Sequence, residues 1–157
     1  MSPAPAHDVP VEILPIDIGA MGHVDNARYL VWVQAAVVDH WRCFAPPEAV
    51  DHYVWVALQH EITFRRPVFL NDRIVASVVL DRVRRESAYY RTFIRRDADV
   101  VAQVNSRWCC LDAKTRRPAR LDDGIVDRFF HRGAAPAGAA PPSLPAPASP
   151  HGEPAFG

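Results

Sequence analysis

The chain reads as an α+β protein: one strand, one long buried helix covered by a sheet, then four antiparallel strands. Three observations predict it. Residues 27–44 are apolar around most of a helical circumference, residues 53–111 hold four runs rich in Val, Ile, Tyr, Phe, Thr and Trp, and the polar breaks between the later runs have hairpin length. A composition of 49% hydrophobic and 23% charged residues is that of an ordinary globular domain with a real core.

Taken in order, Val9 to Ile16 is a short strand. The loop DIGAMGHVDN follows, where Gly19 and Gly22 free the backbone to turn. His23, Asp25 and Asn26 then supply polar atoms where the first helical N–H groups lack intrahelical partners. In the helix, Leu30, Val33, Val37, Trp41 and Phe44 form one stripe, widened by Ala27, Val31, Ala35 and Val38. Only Arg28, Gln34, Asp39, His40 and Arg42 interrupt it. A helix so apolar is covered on several sides, which leaves its positive N-terminal end poorly solvated. Such an end stabilises a bound anion or the oxygen of a polarised carbonyl.

Ala45 to His52, with Pro46-Pro47, reads as a connection. Tyr53 to Phe64 alternates, placing Val54, Val56, Leu58, Ile62 and Phe64 on a buried side with His60, and Gln59, Glu61 and Thr63 on the other. Arg66-Pro67 ends this strand and Asn71-Asp72 supplies a turn. Arg73 to Arg84, Ser87 to Arg96 and Val100 to Leu111 complete the sheet, with hairpin turns at Arg84 to Glu86 and Asp97 to Asp99. Trp32, Trp41, Phe44 and Trp55 are core or the wall of an apolar pocket. Residues 133–157 hold seven of the 15 prolines and read as a disordered or polyproline-like tail behind a folded domain at 1–132.

Several function classes are disfavoured by these counts. Lys+Arg and Asp+Glu are 18 each, so no overall basic field recruits nucleic acid; the arginines at 65–66, 82–85 and 95–96 are solvated strand ends or contacts to a ligand phosphate. No window approaches about 18 consecutive apolar residues and the start lacks a signal-like pattern, so the expectation is a cytoplasmic protein with no membrane partner. Three cysteines, with Cys109 and Cys110 adjacent, make neither a disulfide framework nor the paired spacing of a zinc site. They are expected to be reduced and structural, and no metal or cofactor is expected.

The stretch DIGAMGHVDNARYLVWVQ resembles the loop-and-helix signature D-x-D-x-x-G-H-V-N-N-x-x-Y-L of hotdog-fold acyl-CoA thioesterases, the 4-hydroxybenzoyl-CoA thioesterase-like family. EITFRRPVFLND is similar to that family's strand-Pro-x-x-x-x-Asp segment, and with the element order the resemblance covers about Val9 to Leu121. It implies a hotdog fold, an antiparallel sheet of about five strands wrapped around the long central helix. It also implies a homodimer or homotetramer with acyl-thioester sites at the subunit interface, and hydrolysis of acyl-CoA to a carboxylic acid and free CoA without a cofactor. The amide near the helix start, at about Asn26, would hydrogen-bond the thioester carbonyl, and Gly22, Val24, Tyr29 and His60 would border the substrate.

One departure bears on the chemistry. The second Asp of D-x-D, the family's catalytic acid, falls on Gly19, and Asp17 matches only the first. Hydrolysis needs a nucleophile or general base as well as an oxyanion donor. Asp25, standing where the family has Asn, is one candidate base or a helix cap; Glu61 is the other candidate base or a solvated side chain. His23 is a proton shuttle or a packed loop histidine, and Asp17 an orienter of the loop. The alternative to hydrolysis is a non-hydrolytic acyl-thioester binding or structural subunit.

Overall fold

The structure is a computed structural model that describes residues 4–130. The tail expected at 133–157 lies outside the described residues. Five strands form one antiparallel sheet: β1 (His7–Val11), β2 (Tyr53–Phe64), β3 (Ile74–Arg84), β4 (Ser87–Arg96) and β5 (Asp99–Asp112). They lie in the order β1-β3-β4-β5-β2, so β1 and β2 are the edges. The predicted α+β hotdog architecture is the one observed, with α1 (Arg28–Phe44) laid across the sheet.

The helix buries Tyr29, Trp32, Val33, Ala36, Val37, His40, Trp41 and Phe44. Its closest sheet contacts are β3 and β1, where Ala76, Val78 and Leu80 alternate inward and are almost wholly buried. The spacing of these eight residues repeats every three or four positions, which is the helical period of a face turned to a core. At its far end α1 meets α3 (Asp123–Phe130): Trp41 stacks on Phe129 with ring centroids 5.7 Å apart, and Arg128 Nε donates to the Phe44 carbonyl at 3.2 Å. A cation on the last carbonyls suits the negative end of a helix.

Three local expectations change. The first strand stops at Val11, because Pro15 opens a 3-10 turn over Pro15–Asp17; Pro10 is tolerated within β1 because β1 is an edge. The connection at Pro46-Pro47 contains α2 (Pro47–His52), in which Pro47 occupies a first-turn position that needs no donor. In β2 a bulge between Ala57 and Gln59 shifts the alternation by one residue. Trp55, Ala57, His60, Ile62 and Phe64 therefore form the more buried set, whereas Val56 and Leu58, expected inside, are 41% and 52% exposed. No helix among the described residues is long and apolar enough to cross a membrane.

Candidate active site

The loop leading into α1 is organised by Asp17. Its side chain is buried, Oδ2 accepts the Leu14 N–H at 2.8 Å, and Oδ1 lies 3.5 Å from Arg28 Nε. Its backbone carbonyl accepts the Asp25 N–H at 2.8 Å. One residue thus ties the loop's entry, its exit and the first helical turn. Inside the loop the Gly19 N–H donates to the His23 carbonyl at 2.9 Å and the Gly22 N–H to the Gly19 carbonyl at 3.0 Å. Gly22 has φ 84, a left-handed conformation that disfavours any side chain.

Val24 fastens this loop to a second one. It is fully buried, and its N–H donates to the Val68 carbonyl at 2.7 Å. Val68 sits in the Pro67 to Asp72 segment, where Asp72 Oδ2 accepts from the Phe69 N–H at 2.9 Å and from Arg96 Nη1 at 2.8 Å; the same Nη1 donates to the Pro67 carbonyl at 3.0 Å. Burial alone would raise the Asp72 carboxyl, but the Phe69 N–H and the Arg96 guanidinium hold it below the usual carboxylate range. The two motifs seen separately in the sequence are a loop and its brace. Sequence reasoning missed Val68 and Arg96 in this role, since nothing local marks a partner so distant in the chain.

The helix end differs from the expected capped end. The N-cap is Ala27, with helical backbone angles and no side-chain hydrogen bond, because the Arg28 N–H already bonds to the Asp25 carbonyl at 2.9 Å. Asp25 is therefore not a cap, and neither are His23 and Asn26. Among the described residues no backbone carbonyl outside the helix takes the N–H of Asn26 or Ala27, both residues are exposed, and the first turn holds no acidic residue. An open, positive helix end remains for an incoming oxygen.

Asp25 is exposed and stands beside Gly19. A Cβ at position 19 would lie 3.7 Å from Asp25 Cβ and 3.8 Å from its carboxyl carbon. The half-buried His23 turns Nδ1 toward the Val24 carbonyl at 3.1 Å, which orients its imidazole against the loop. Val24 and Tyr29, expected to touch substrate, are both fully buried and carry the loop from beneath. Burial pushes the Tyr29 hydroxyl up to about 12, and its ring packs edge-on to Phe64 at 5.1 Å. His60 is turned toward the interior, with Nδ1 2.9 Å from Ser106 Oγ, Nε2 buried without a partner, and burial holding it below its usual range. Glu61 is exposed on the opposite face of the sheet, paired in register with Asn105. The fold thus brings Asp17, Gly22, His23, Val24, Asp25 and Asn26 together, and keeps Glu61 on the other side of the sheet from them.

A sheet that cradles one long helix, with an uncapped helix end beneath a braced loop, defines a hotdog-type protein. The chain belongs to the thioesterase-like superfamily, whose family profile matches residues 13–129. Solved structures share the fold. A thioesterase from Thermus thermophilus, complexed with coenzyme A and Zn, is 24% identical with a TM-score of 0.69, covering 80% of this chain and 98% of that one. The PA5185 protein from Pseudomonas aeruginosa is 17% identical with a TM-score of 0.70, covering 81% and 94%. The YbaW probable thioesterase from Escherichia coli is 20% identical with a TM-score of 0.64, covering 80% and 98%. No curated protein matches the chain. Membership of the superfamily supports thioester hydrolysis as the general chemistry.

Proposed function

We propose that this protein is an acyl-CoA thioesterase acting as a homodimer, with Asp25 as the general base. The observation that carries the reading is the contact between Asp25 and position 19: the carboxylate missing at Gly19 is replaced by one that packs against the same position from six residues further along. The thioester carbonyl oxygen is received by the N–H groups at Asn26 and Ala27, where charge develops as water attacks. Asp25 takes the proton of that water as the oxygen–carbon bond forms; the carbon–sulfur bond then breaks, and the thiolate leaves and is protonated. Asp17, braced by Leu14 and Arg28, holds the loop, and the Val24 carbonyl orients the His23 imidazole within it.

Coenzyme A as the thiol is supported by the Thermus relative crystallised with it. The dimer is supported by β2, a 12-residue edge strand with exposed Val56 and Leu58, and by exposed Ile16, Met21, Phe69 and Leu70 on the two loops. An unpaired edge and an apolar rim are what a second copy covers.

The test is thiol release from short, medium, long and aromatic acyl-CoAs. Wild type is expected to turn over one class, and Asp25→Asn to lose about 10²–10⁴-fold in kcat/KM, the usual contribution of a positioned base. Adding Gly19→Asp to that variant returns part of the loss, because a side chain at 19 meets only ordinary contacts. Glu61→Gln leaves the rate unchanged. An Asp25→Asn enzyme as fast as wild type overturns the assignment. A wild type that binds acyl-CoA without hydrolysing it favours the binding subunit suggested by Gly19.

A further inference from the structure

A second cluster lies outside the loop and joins β1 to the last turns of α1. His7 Nε2 is 2.7 Å from Asp39 Oδ2, and Cys43 Sγ is 3.9 Å from the same oxygen. All three ligand atoms fall within 4.8 Å of one another. Asp39 and Cys43 are one helical turn apart and share a face of α1. The His7 side chain is only 12% exposed, with its ring edge-on to Phe44 at 5.6 Å and to His40 at 5.7 Å. Packing thus fixes the imidazole with Nε2 aimed at two exposed, adjustable side chains.

Imidazole nitrogen, carboxylate oxygen and thiol sulfur together form a donor set suited to zinc. Zinc bonds of about 2.0–2.3 Å in a tetrahedron put ligand atoms roughly 3.3–3.8 Å apart. The observed separations bracket that range, so small rotations at Asp39 and Cys43 close the site. The free protein holds the cluster with a hydrogen bond between His7 and Asp39. A dication takes the place of that bond once the imidazole proton resides on Nδ1 and frees the Nε2 lone pair, and the Cys43 thiol releases its proton to solvent as the sulfur–metal bond forms.

We propose that His7, Asp39 and Cys43 are a three-ligand site for a zinc-class divalent ion, with water in the fourth position, that clips edge strand β1 to α1. The site is at the sheet edge opposite β2, so pairing through β2 leaves it open. It is independent of the thioesterase chemistry. The sequence conceals it because one ligand comes from a strand and the others from a helix that begins its contribution 32 residues on.

The experiment uses the full chain, reduced and freed of metal, titrated with Co²⁺ as a spectroscopic probe and then with Zn²⁺ as competitor. A thiolate-to-cobalt charge-transfer band at one equivalent, displaced by Zn²⁺, is expected. Cys43→Ser removes the band, and His7→Gln weakens binding by about tenfold or more. Zn²⁺ raises the Tm of wild type but not of Cys43→Ser, whose exposed position leaves folding intact. Absence of the band in wild type overturns the proposal, as does a band that survives Cys43→Ser, which would place the metal on Cys109 or Cys110. Unchanged affinity in His7→Gln overturns the three-ligand assignment.

Discussion

The two ends of α1 are built from similar material and do opposite things. Both hold a histidine, an acid nearby and large apolar side chains. At the C-terminal end His40 is 1% exposed, lies against Phe44, Tyr90 and Phe129, and is closed over by Trp41 stacked on Phe129. Burial, with the neighbouring His7, pushes His40 down to about 3, so it stays neutral. At the N-terminal end the backbone is uncapped, Asp25 is exposed, and the buried acid, Asp17, is spent on loop geometry. A perturbed titrating group thus marks core packing at one end of the helix, while the carboxylate of Asp25 at the other end stands in solvent.

On that contrast, substitutions in the packed far end lower stability, that of the exposed Asp25 at the near end lowers rate, and that of the buried Asp17 lowers both. The largest effect on stability is expected for Trp41→Ala, about 3–5 kcal/mol in denaturant unfolding, because a 4% exposed indole leaves a cavity between Trp55 and Phe129. Asp17→Asn comes next, at roughly 1.5–2 kcal/mol, since a buried charge-assisted bond to the Leu14 N–H weakens; it also lowers kcat/KM through the loop it holds. A stable but inactive Trp41→Ala would break the contrast.

His40 sharpens it through pH. Its folded value lies below the ordinary 6.5, so the unfolded chain takes up a proton that the native state refuses, and stability is lost as pH falls below about 6.5 toward 3. Between pH 6.5 and 5 this amounts to about 1–2 kcal/mol. His40→Leu is expected to flatten that part of the profile, and a profile of unchanged slope would count against the buried neutral imidazole. The smallest effect belongs to Asp25→Asn, within about 0.5 kcal/mol in the same unfolding assay, because the carboxylate is exposed and caps nothing in the helix.

How much of this is legible in the sequence follows from what each feature depends on. The long helix and the strand order announce themselves through period and turn chemistry, which are local, and so does the loop joining Asp17 to Asn26. The inner face of β2 is hidden because one bulge at Ala57/Gln59 reverses the phase of everything before it, and no residue type signals the insertion. The cap is hidden because Asp25 engages the helix through its carbonyl, whereas residue type reports only on side chains. After the bulge the phase is legible: His60 shares the alternation of Ile62 and Phe64 and turns inward with them, and Glu61 turns outward, as the sequence places them.

The strand order also bears on how firmly the loop is held. β3, β4 and β5 are a meander of sequence neighbours, joined by two-residue turns with Arg85 at φ 57 and Asp97 at φ 54, and such hairpins close early. β1 must find β3 across a long stretch of chain, as in His7↔Val78, and β2 must reach β5 from the other side. The bond from Val24 to Val68 joins the segments that follow those two edges, so its hold rests on two long-range pairings. The loop is therefore expected to open before the meander does, and faster amide exchange at Val24 than along β4 is the measurement that checks it.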